Sequence, residues 1–171
     1  MSRSIPSIDF RLATSDVAEE QASFVEQVGD ALKDIGFFAL TNHGIPRSLI
    51  DETYAQCDAF FDLDEKEKRS YLQPNIGHQR GYTAFGVEHA KDNPAPDLKE
   101  FWQTGRPYPD DGTAATYPRN IWPTGHVRGF QSTTETLFSS MESLAQHLLS
   151  LIHISEPTRP RLISYAVFCL K

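Results

Sequence analysis

The clearest indication of the fold comes from Gly36 to Pro46, GFFALTNHGIP. Its first half is an apolar run that is too short for a helix and is bounded by turn residues, which predicts a buried strand over residues 36–42. Its second half contains Asn42 and Gly44, residue types that tolerate positive φ angles, and then a proline that suits the first turn of a helix. The sequence therefore predicts a strand, a tight turn and a helix in succession.

On the N-terminal side, residues 5–10, IPSIDF, read as a short strand whose proline favours a sheet edge or a strand start. A helix is predicted between the two strands, with Ser15 or Asp16 at its N-cap and Gly36 after its last turn. Its apolar residues recur at the three-and-four spacing of one buried face: Val25, Val28, Leu32 and Ile35. This helix should pack through that face.

On the C-terminal side, a second helix opened by Pro46 is predicted to bury one apolar face, formed by Leu49, Ile50, Tyr54, Cys57 and Phe61. The next segment, DEKEKRSYL at residues 64–72, reads as a solvated helical face. Asp64 and Glu67 have the spacing of a capping box at its start.

The rest of the chain up to residue 148 contains a loop-rich connector and a third helix. Residues 74–123 are rich in Gly, Pro, Asn and Asp, with two predicted strands at residues 82–87 and 98–104. The third helix follows from apolar residues at helical spacing: Phe130, Leu137, Met141, Leu144 and Leu148. The pattern as a whole predicts an α+β fold.

Composition limits the classes of partner. The formal charge is −7, and no run of Lys or Arg suggests a surface for nucleic acid or membrane, so we expect neither partner. The N-terminus lacks the apolar run of a secretory signal, and we expect a cytoplasmic protein. Cys57 and Cys169 have neither metal-site spacing nor a disulfide framework. A small molecule or another protein is the expected partner.

The order of IPSIDF, a helix, GFFALTNHGIP and a helix ending FFDLDEKEK resembles the N-terminal region of the isopenicillin N synthase-like branch of the iron(II)- and 2-oxoglutarate-dependent oxygenases. The later RGYTAFGVEHAKDNPAPDLKEFWQTGR is similar to bacterial members of that branch. The resemblance covers residues 5–148. It implies a helical and short-strand region that packs on a C-terminal double-stranded β-helix, or jelly roll.

The resemblance also implies the cofactors of the intact enzyme. That family holds iron(II) with two His and one carboxylate and uses 2-oxoglutarate, although some members of this branch dispense with 2-oxoglutarate. The sequence signs are His-x-Asp or His-x-Glu, a distant second His, and Arg-x-Ser. No Arg-x-Ser occurs here, and no carboxylate stands two positions after any histidine: His43, His78, His89, His126, His147 or His153. We therefore expect this chain to be inactive, with no catalytic, metal or cofactor residues of its own.

The last 23 residues suggest a reason for the missing motifs. A widely used transposon adapter for DNA sequencing libraries translates as LSLIHISEPTR, which is identical to residues 149–159. The flow-cell segment that follows it translates as ISYAVFCL, which is identical to residues 163–170. We interpret residues 1–148 as the dioxygenase N-terminal domain of an incomplete enzyme and residues 149–171 as translated adapter, outside the fold analysis.

Three residues of the connector are candidates for binding a substrate. In the resembled family this segment can approach the mouth of the β-helix. There the planar guanidinium group of Arg80 could pair with a substrate carboxylate. Tyr82 could donate a hydrogen bond or provide a ring for stacking, and Phe85 lies close to both in the sequence. The alternative is that Arg80 closes a surface salt bridge and Tyr82 belongs to the core. Glu88 and His89 are weaker candidates.

Other conspicuous residues have structural interpretations. His43 reads as a hydrogen-bonded turn residue rather than a metal ligand. In Lys99-Glu100-Phe101-Trp102 the aromatic residues are predicted to pack and the charged residues to pair locally. Trp122 is predicted to anchor the connector.

Two functions follow. The first is the N-terminal part of an iron oxygenase that acts on a small organic substrate, with the β-helix half as its packing partner. The second is a stand-alone, non-catalytic binding or interaction module with the same fold.

Overall fold

The computed structural model describes residues 4–89, 95–107, 118–155 and 169–170. The chain divides into two compact units. Unit 1 comprises residues 1–46 and 139–171, and unit 2 comprises residues 47–138. The described residues contain four α-helices and several short strands, which confirms the predicted α+β class.

Unit 1 contains a parallel sheet in the order β1-β2-β5, with β1 at Ser7–Asp9, β2 at Ala39–Thr41 and β5 at Cys169–Leu170. Ile8 pairs with Leu40, and both are almost completely buried. The two strands predicted from IPSIDF and GFFALTN are therefore confirmed, although each is only three residues long. β5 lies within the stretch that the sequence assigns to adapter, and it pairs with the free side of β2.

Helix α1 spans Ala18–Asp34 and joins β1 to β2. Its buried residues are Phe24, Val28 and Ala31, one turn apart on one face, while the ring of Phe24 meets the edge of Phe10. The predicted N-cap is wrong: Val17 occupies that position, and Ser15 accepts a hydrogen bond from its amide instead. Gly36 ends the helix region with φ of 84°, as predicted.

The turn after β2 has the predicted backbone. Asn42 and Gly44 have φ angles of 54° and 80°. The amide of Ile45 donates to Nδ1 of His43 at 3.2 Å, which confirms His43 as a hydrogen-bonded turn residue.

Unit 2 begins with α2 at Arg47–Phe61 and α3 at Glu65–Arg69. The predicted apolar face of α2 is shifted, because Phe60 is the fully buried aromatic residue, whereas the Tyr54 side chain is 68% exposed. Asp64 does occupy the N-cap of α3, but its side chain makes no capping hydrogen bond. The helix has the predicted solvated face at Glu65, Lys66 and Arg69, whereas Lys68 is buried.

A β-hairpin follows, formed by antiparallel strands β3 at Gly81–Thr83 and β4 at Phe101–Gln103. β3 overlaps the first predicted strand region, and β4 lies within the second. Tyr82 lies opposite Trp102. Gly81 has φ of 78°, and a Cβ atom there would lie 2.6 Å from the carbonyl oxygen of Tyr71. Only glycine therefore lets the strand enter this close to the preceding loop.

The core of unit 2 is an aromatic cluster, defined here by Phe60, Tyr71, Tyr82, Trp102 and Phe130. The ring centroids of the other four lie 4.7–5.9 Å from that of Phe60 in edge-on contacts. Trp122 packs against this cluster, which confirms its predicted role as an anchor.

Helix α4 spans Phe130–Ser155, which confirms the predicted third helix and extends it past residue 148. Phe130 is buried in unit 2, and Leu144 and Leu148 are buried in unit 1, whereas Met141 is partly exposed. Within the described part of the chain, no helix is long and apolar enough to cross a membrane.

Candidate functional site

The aromatic cluster carries a buried charge pair at one of its tyrosines. Nζ of Lys68 donates to both carboxylate oxygens of Glu100, at 3.1 and 2.9 Å. The side chains of Lys68 and Glu100 are only 9% and 16% exposed. The hydroxyl of Tyr82 donates to the same carboxylate, and the ammonium group lies 5.8 Å from the centre of the Tyr82 ring. One buried carboxylate thus receives two donors.

This arrangement changes the acidity of Tyr82. Burial raises the pKa of its hydroxyl well above the ordinary range, and the hydrogen bond to Glu100 raises that pKa further. Ionisation would place a second negative charge beside Glu100 in a site with little water. Tyr82 therefore stays protonated and keeps its role as a donor.

A second polar chain joins Glu67 of α3 to two residues outside this helix, Tyr71 and His126. The hydroxyl of Tyr71 and Nδ1 of His126 are 2.7 Å apart, and Nε2 of His126 lies 3.5 Å from a carboxylate oxygen of Glu67. Burial and the charge of Glu67 raise the pKa of Tyr71. His126 thus links Glu67 of α3, through Nε2, with Tyr71 in the loop after α3, through Nδ1.

Arg80 immediately precedes β3 and is half-buried. Its Nη1 donates to the carbonyl of Gln79 at 2.6 Å. Its Nε is shielded from solvent and has no hydrogen-bond partner among the described residues. The alternative prediction for Arg80 was a surface salt bridge, and Arg80 forms none with the described residues. Its guanidinium group therefore has N–H donors available for another acceptor.

The other two predicted substrate contacts have different surroundings. Tyr82 is fully buried, its ring lies in the aromatic cluster and its hydroxyl donates to Glu100, so it has the core position that was the alternative prediction. Its direct contact with a substrate stays a prediction that these surroundings do not favour. Phe85 is 51% exposed and can meet a ligand.

Of the weaker candidates, Glu88 forms an ion pair with Lys99 at 3.0 Å, and Lys99 also pairs with Asp97. The predicted local pairing is thus right for Lys99. It is wrong for Glu100, whose partner Lys68 is 32 residues away in the sequence. Trp102 packs as predicted, while its Nε1 finds no acceptor among the described residues.

The described residues do not fit an iron centre. No group of three His, Cys, Asp or Glu residues in the described ranges lies close enough to hold a metal ion. We therefore assign no iron ligand to them. That the chain as a whole takes no cofactor stays a prediction.

A family model described as "non-haem dioxygenase in morphine synthesis N-terminal" matches residues 5–125, more than half of the 171 residues. The chain belongs to this family. The match includes β1, the GFFALTNHGIP segment and the hairpin with Arg80, so the resemblance inferred from those motifs is confirmed.

Relatives of this dioxygenase-family chain are enzymes about twice as long. A 2-oxoglutarate-dependent dioxygenase of Trichoderma harzianum, thnC, is 36% identical over 70% of this chain and 38% of its own length. Another from a Phoma species, eupC, is 30% identical over 90% of this chain and 51% of its own length. The chain therefore spans about half the length, or less, of these curated relatives.

A solved structure shares the fold. A protein of Caulobacter crescentus assigned to the 2OG-Fe(II) oxygenase family superposes with a TM-score of 0.75 at 28% identity, over 90% of this chain and 48% of the other. The curated relatives reported above are fungal, so the similarity to bacterial members in particular stays a prediction.

The buried pair predicts a large stability loss on Lys68→Met. This change leaves the Glu100 carboxylate buried without its cation, which should lower the free energy of unfolding by about 3–5 kcal/mol. Arg69→Met on the same helix is the control, because the Arg69–Glu65 pair is half-exposed and should contribute about 0–1 kcal/mol. Urea unfolding measures both. Equal losses for the two variants would contradict a buried pair, and Lys68→Met/Glu100→Gln should recover part of the loss.

The raised pKa of Tyr82 predicts alkaline destabilisation. Above the ordinary tyrosine pKa of about 10 the unfolded chain releases this proton while the folded chain keeps it, so the free energy of unfolding falls by up to about 1.4 kcal/mol per pH unit. Tyr82→Phe should be less stable at neutral pH but should show a smaller fall above pH 10, and Tyr54→Phe should match the wild type. Urea unfolding across alkaline pH tests this, and identical slopes in all three proteins would refute it.

Proposed function

We propose that this chain is the N-terminal part of an iron(II)- and 2-oxoglutarate-dependent oxygenase that acts on a small organic substrate. The observation that carries the proposal is the family match over residues 5–125, in a chain that spans about half of relatives named 2-oxoglutarate-dependent dioxygenases. In this proposal the chain by itself is inactive.

The residue types present indicate which functions the N-terminal and C-terminal parts of the intact protein would have. The iron ligands and the 2-oxoglutarate contacts would come from a C-terminal jelly roll that follows residue 148 in the intact protein, which we propose to be cytoplasmic. Iron would supply the oxidation chemistry there. The described residues contribute a framework that supports the substrate side of the site.

Arg80 and Phe85 are the proposed substrate contacts. They lie just before and two residues after β3, a strand fixed in place by the aromatic cluster. The guanidinium group has unused donors for a carboxylate, and the half-exposed ring of Phe85 offers an apolar surface. We propose that the substrate carries a carboxylate and an apolar portion.

The proposal predicts what the source DNA encodes. Amplification from a primer in the codons of residues 80–86, with library chemistry that lacks the adapter, should read through codon 148 into a strand-rich segment. That segment should contain His-x-Asp or His-x-Glu, a second His and Arg-x-Ser. A genomic sequence that encodes residues 149–171 as they stand would overturn the adapter assignment and favour the stand-alone module.

The complete protein allows a test of Arg80. Arg80→Ala should raise the KM of the carboxylate substrate roughly 10- to 100-fold, the loss expected for charge-assisted hydrogen bonds worth about 1.5–3 kcal/mol. Arg80→Lys should recover only part, because an ammonium group lacks the planar fork. Arg47→Ala is the control, since the Arg47–Asp51 pair is exposed. Substrate-dependent succinate release is the assay, and an unchanged KM in Arg80→Ala would remove Arg80 from the site.

A further inference from the structure

The guanidinium group of Arg80 lies flat on the backbone of Gly105. A Cβ atom built on Gly105 would fall 2.1 Å from Nη2, 2.3 Å from Cζ and 2.6 Å from Nε of Arg80. Because the distance to the central Cζ lies between the distances to the two nitrogens and all three are short, that Cβ would sit over the face of the guanidinium plane, not beyond its edge. Any side chain at position 105 would occupy the space that the guanidinium group fills.

The need for glycine at this position comes from Arg80 and not from the backbone. Five glycines of the described chain have positive φ angles, and Gly105 is not among them. Alanine would thus be compatible with the backbone conformation of residue 105. Its Cβ atom would instead displace the guanidinium group of Arg80. Gly125 offers the contrast, because a Cβ atom there would meet nothing within 4 Å.

Gly105 is itself held by the side chain of Asn120. The amide of Gly105 donates to Oδ1 of Asn120 at 2.8 Å, and Nδ2 of Asn120 donates to the carbonyl of Gly105 at 2.7 Å. Two hydrogen bonds from one planar amide fix both the position and the tilt of the Gly105 backbone. The surface on which the guanidinium group lies is therefore rigid.

The remaining contact of Arg80 leaves one edge of the guanidinium group without a partner. Nη1 donates to the carbonyl oxygen of Gln79. The side-chain amide of Gln103, with its nitrogen oriented towards that oxygen, donates to it as well, at 3.1 Å. On the other edge, Nε has no acceptor among the described residues. A shielded, charged donor without an acceptor is energetically unfavourable, so an acceptor from outside the described residues would stabilise this edge.

We propose that Gly105 and Asn120 are positioning residues for Arg80. Asn120 fixes the Gly105 backbone, Gly105 supports the face of the guanidinium group, and the edge formed by Nε and Nη2 is held ready for both oxygens of a ligand carboxylate. The carboxylate part of this inference rests on the proposed function of Arg80. The positioning part rests on the contacts of this chain alone.

The positioning part is tested by the hydrogen exchange of the Arg80 Nε–H group in the 171-residue chain. Its NMR signal is assigned by its disappearance in Arg80→Lys. In Asn120→Ala and in Gly105→Ala the Nε–H should exchange with water roughly tenfold faster or more, as expected when one fixing hydrogen bond is lost. The matched controls Asn75→Ala, at an exposed position, and Gly125→Ala should exchange at the wild-type rate.

Both variants are expected to keep the hairpin folded. In Gly105→Ala the group displaced is the end of a long side chain, which can move without unfolding the hairpin. The backbone amide signals of Tyr82 and Trp102, which belong to the paired strands, should stay at their wild-type positions in both variants. Unchanged Nε–H exchange in both variants would overturn the positioning role.

The carboxylate part is tested with acetate as the probe and acetamide as its neutral counterpart. Acetate should shift the Arg80 Nε–H signal saturably in the wild type, acetamide should not, and Asn120→Ala should weaken the acetate response. If acetate produced no shift while Asn120→Ala still accelerated exchange, positioning would stand and the substrate role of Arg80 would fail. If acetate bound equally well to wild type and both variants, the positioning role would fail and the proposed function would stand.

Discussion

The contact on which unit 2 depends is the burial of the Phe60 ring among the rings of Tyr71, Tyr82, Trp102 and Phe130. These rings come from the end of α2, the loop after α3, both strands of the hairpin and the start of α4. Large rings in edge-on contact bury much apolar area and tolerate little displacement, so one cluster fixes the relative positions of all these segments. A hairpin of two three-residue strands would not be stable without such support.

The same cluster explains why a charge pair can be buried beside it. Tyr82 contributes its ring to the cluster and its hydroxyl to Glu100, so the carboxylate is held by a donor that cannot move without disturbing the core. Lys68 neutralises that carboxylate from α3. Burial of two charges has a large desolvation cost, which good hydrogen-bond geometry offsets. A shifted hairpin register would separate Glu100 from Tyr82, so this hydrogen bond favours the observed register.

The rigid hairpin also determines what Arg80 can do. β3 faces the aromatic cluster through Tyr82, and the residues that flank this strand remain at the margin of the hairpin, where Arg80 is half-buried and Phe85 is half-exposed. Binding residues held by a fixed scaffold lose little entropy when a ligand arrives. The contact with Gly105 holds the guanidinium group in one position before a ligand is present.

Local sequence patterns were enough to predict the strand and turn of GFFALTNHGIP, helix α1 and helix α4, and the order of these motifs was enough to predict the dioxygenase family. Such features depend on neighbouring residues, on φ preferences and on the helical period. Only the tertiary structure decided that Tyr54 is exposed, that Glu100 pairs with Lys68 and that Arg80 lies on Gly105. The two contacts join residues that are far apart in the sequence, and the exposure of Tyr54 depends on which face of α2 packs. No local pattern specifies these features, because burial depends on the whole fold.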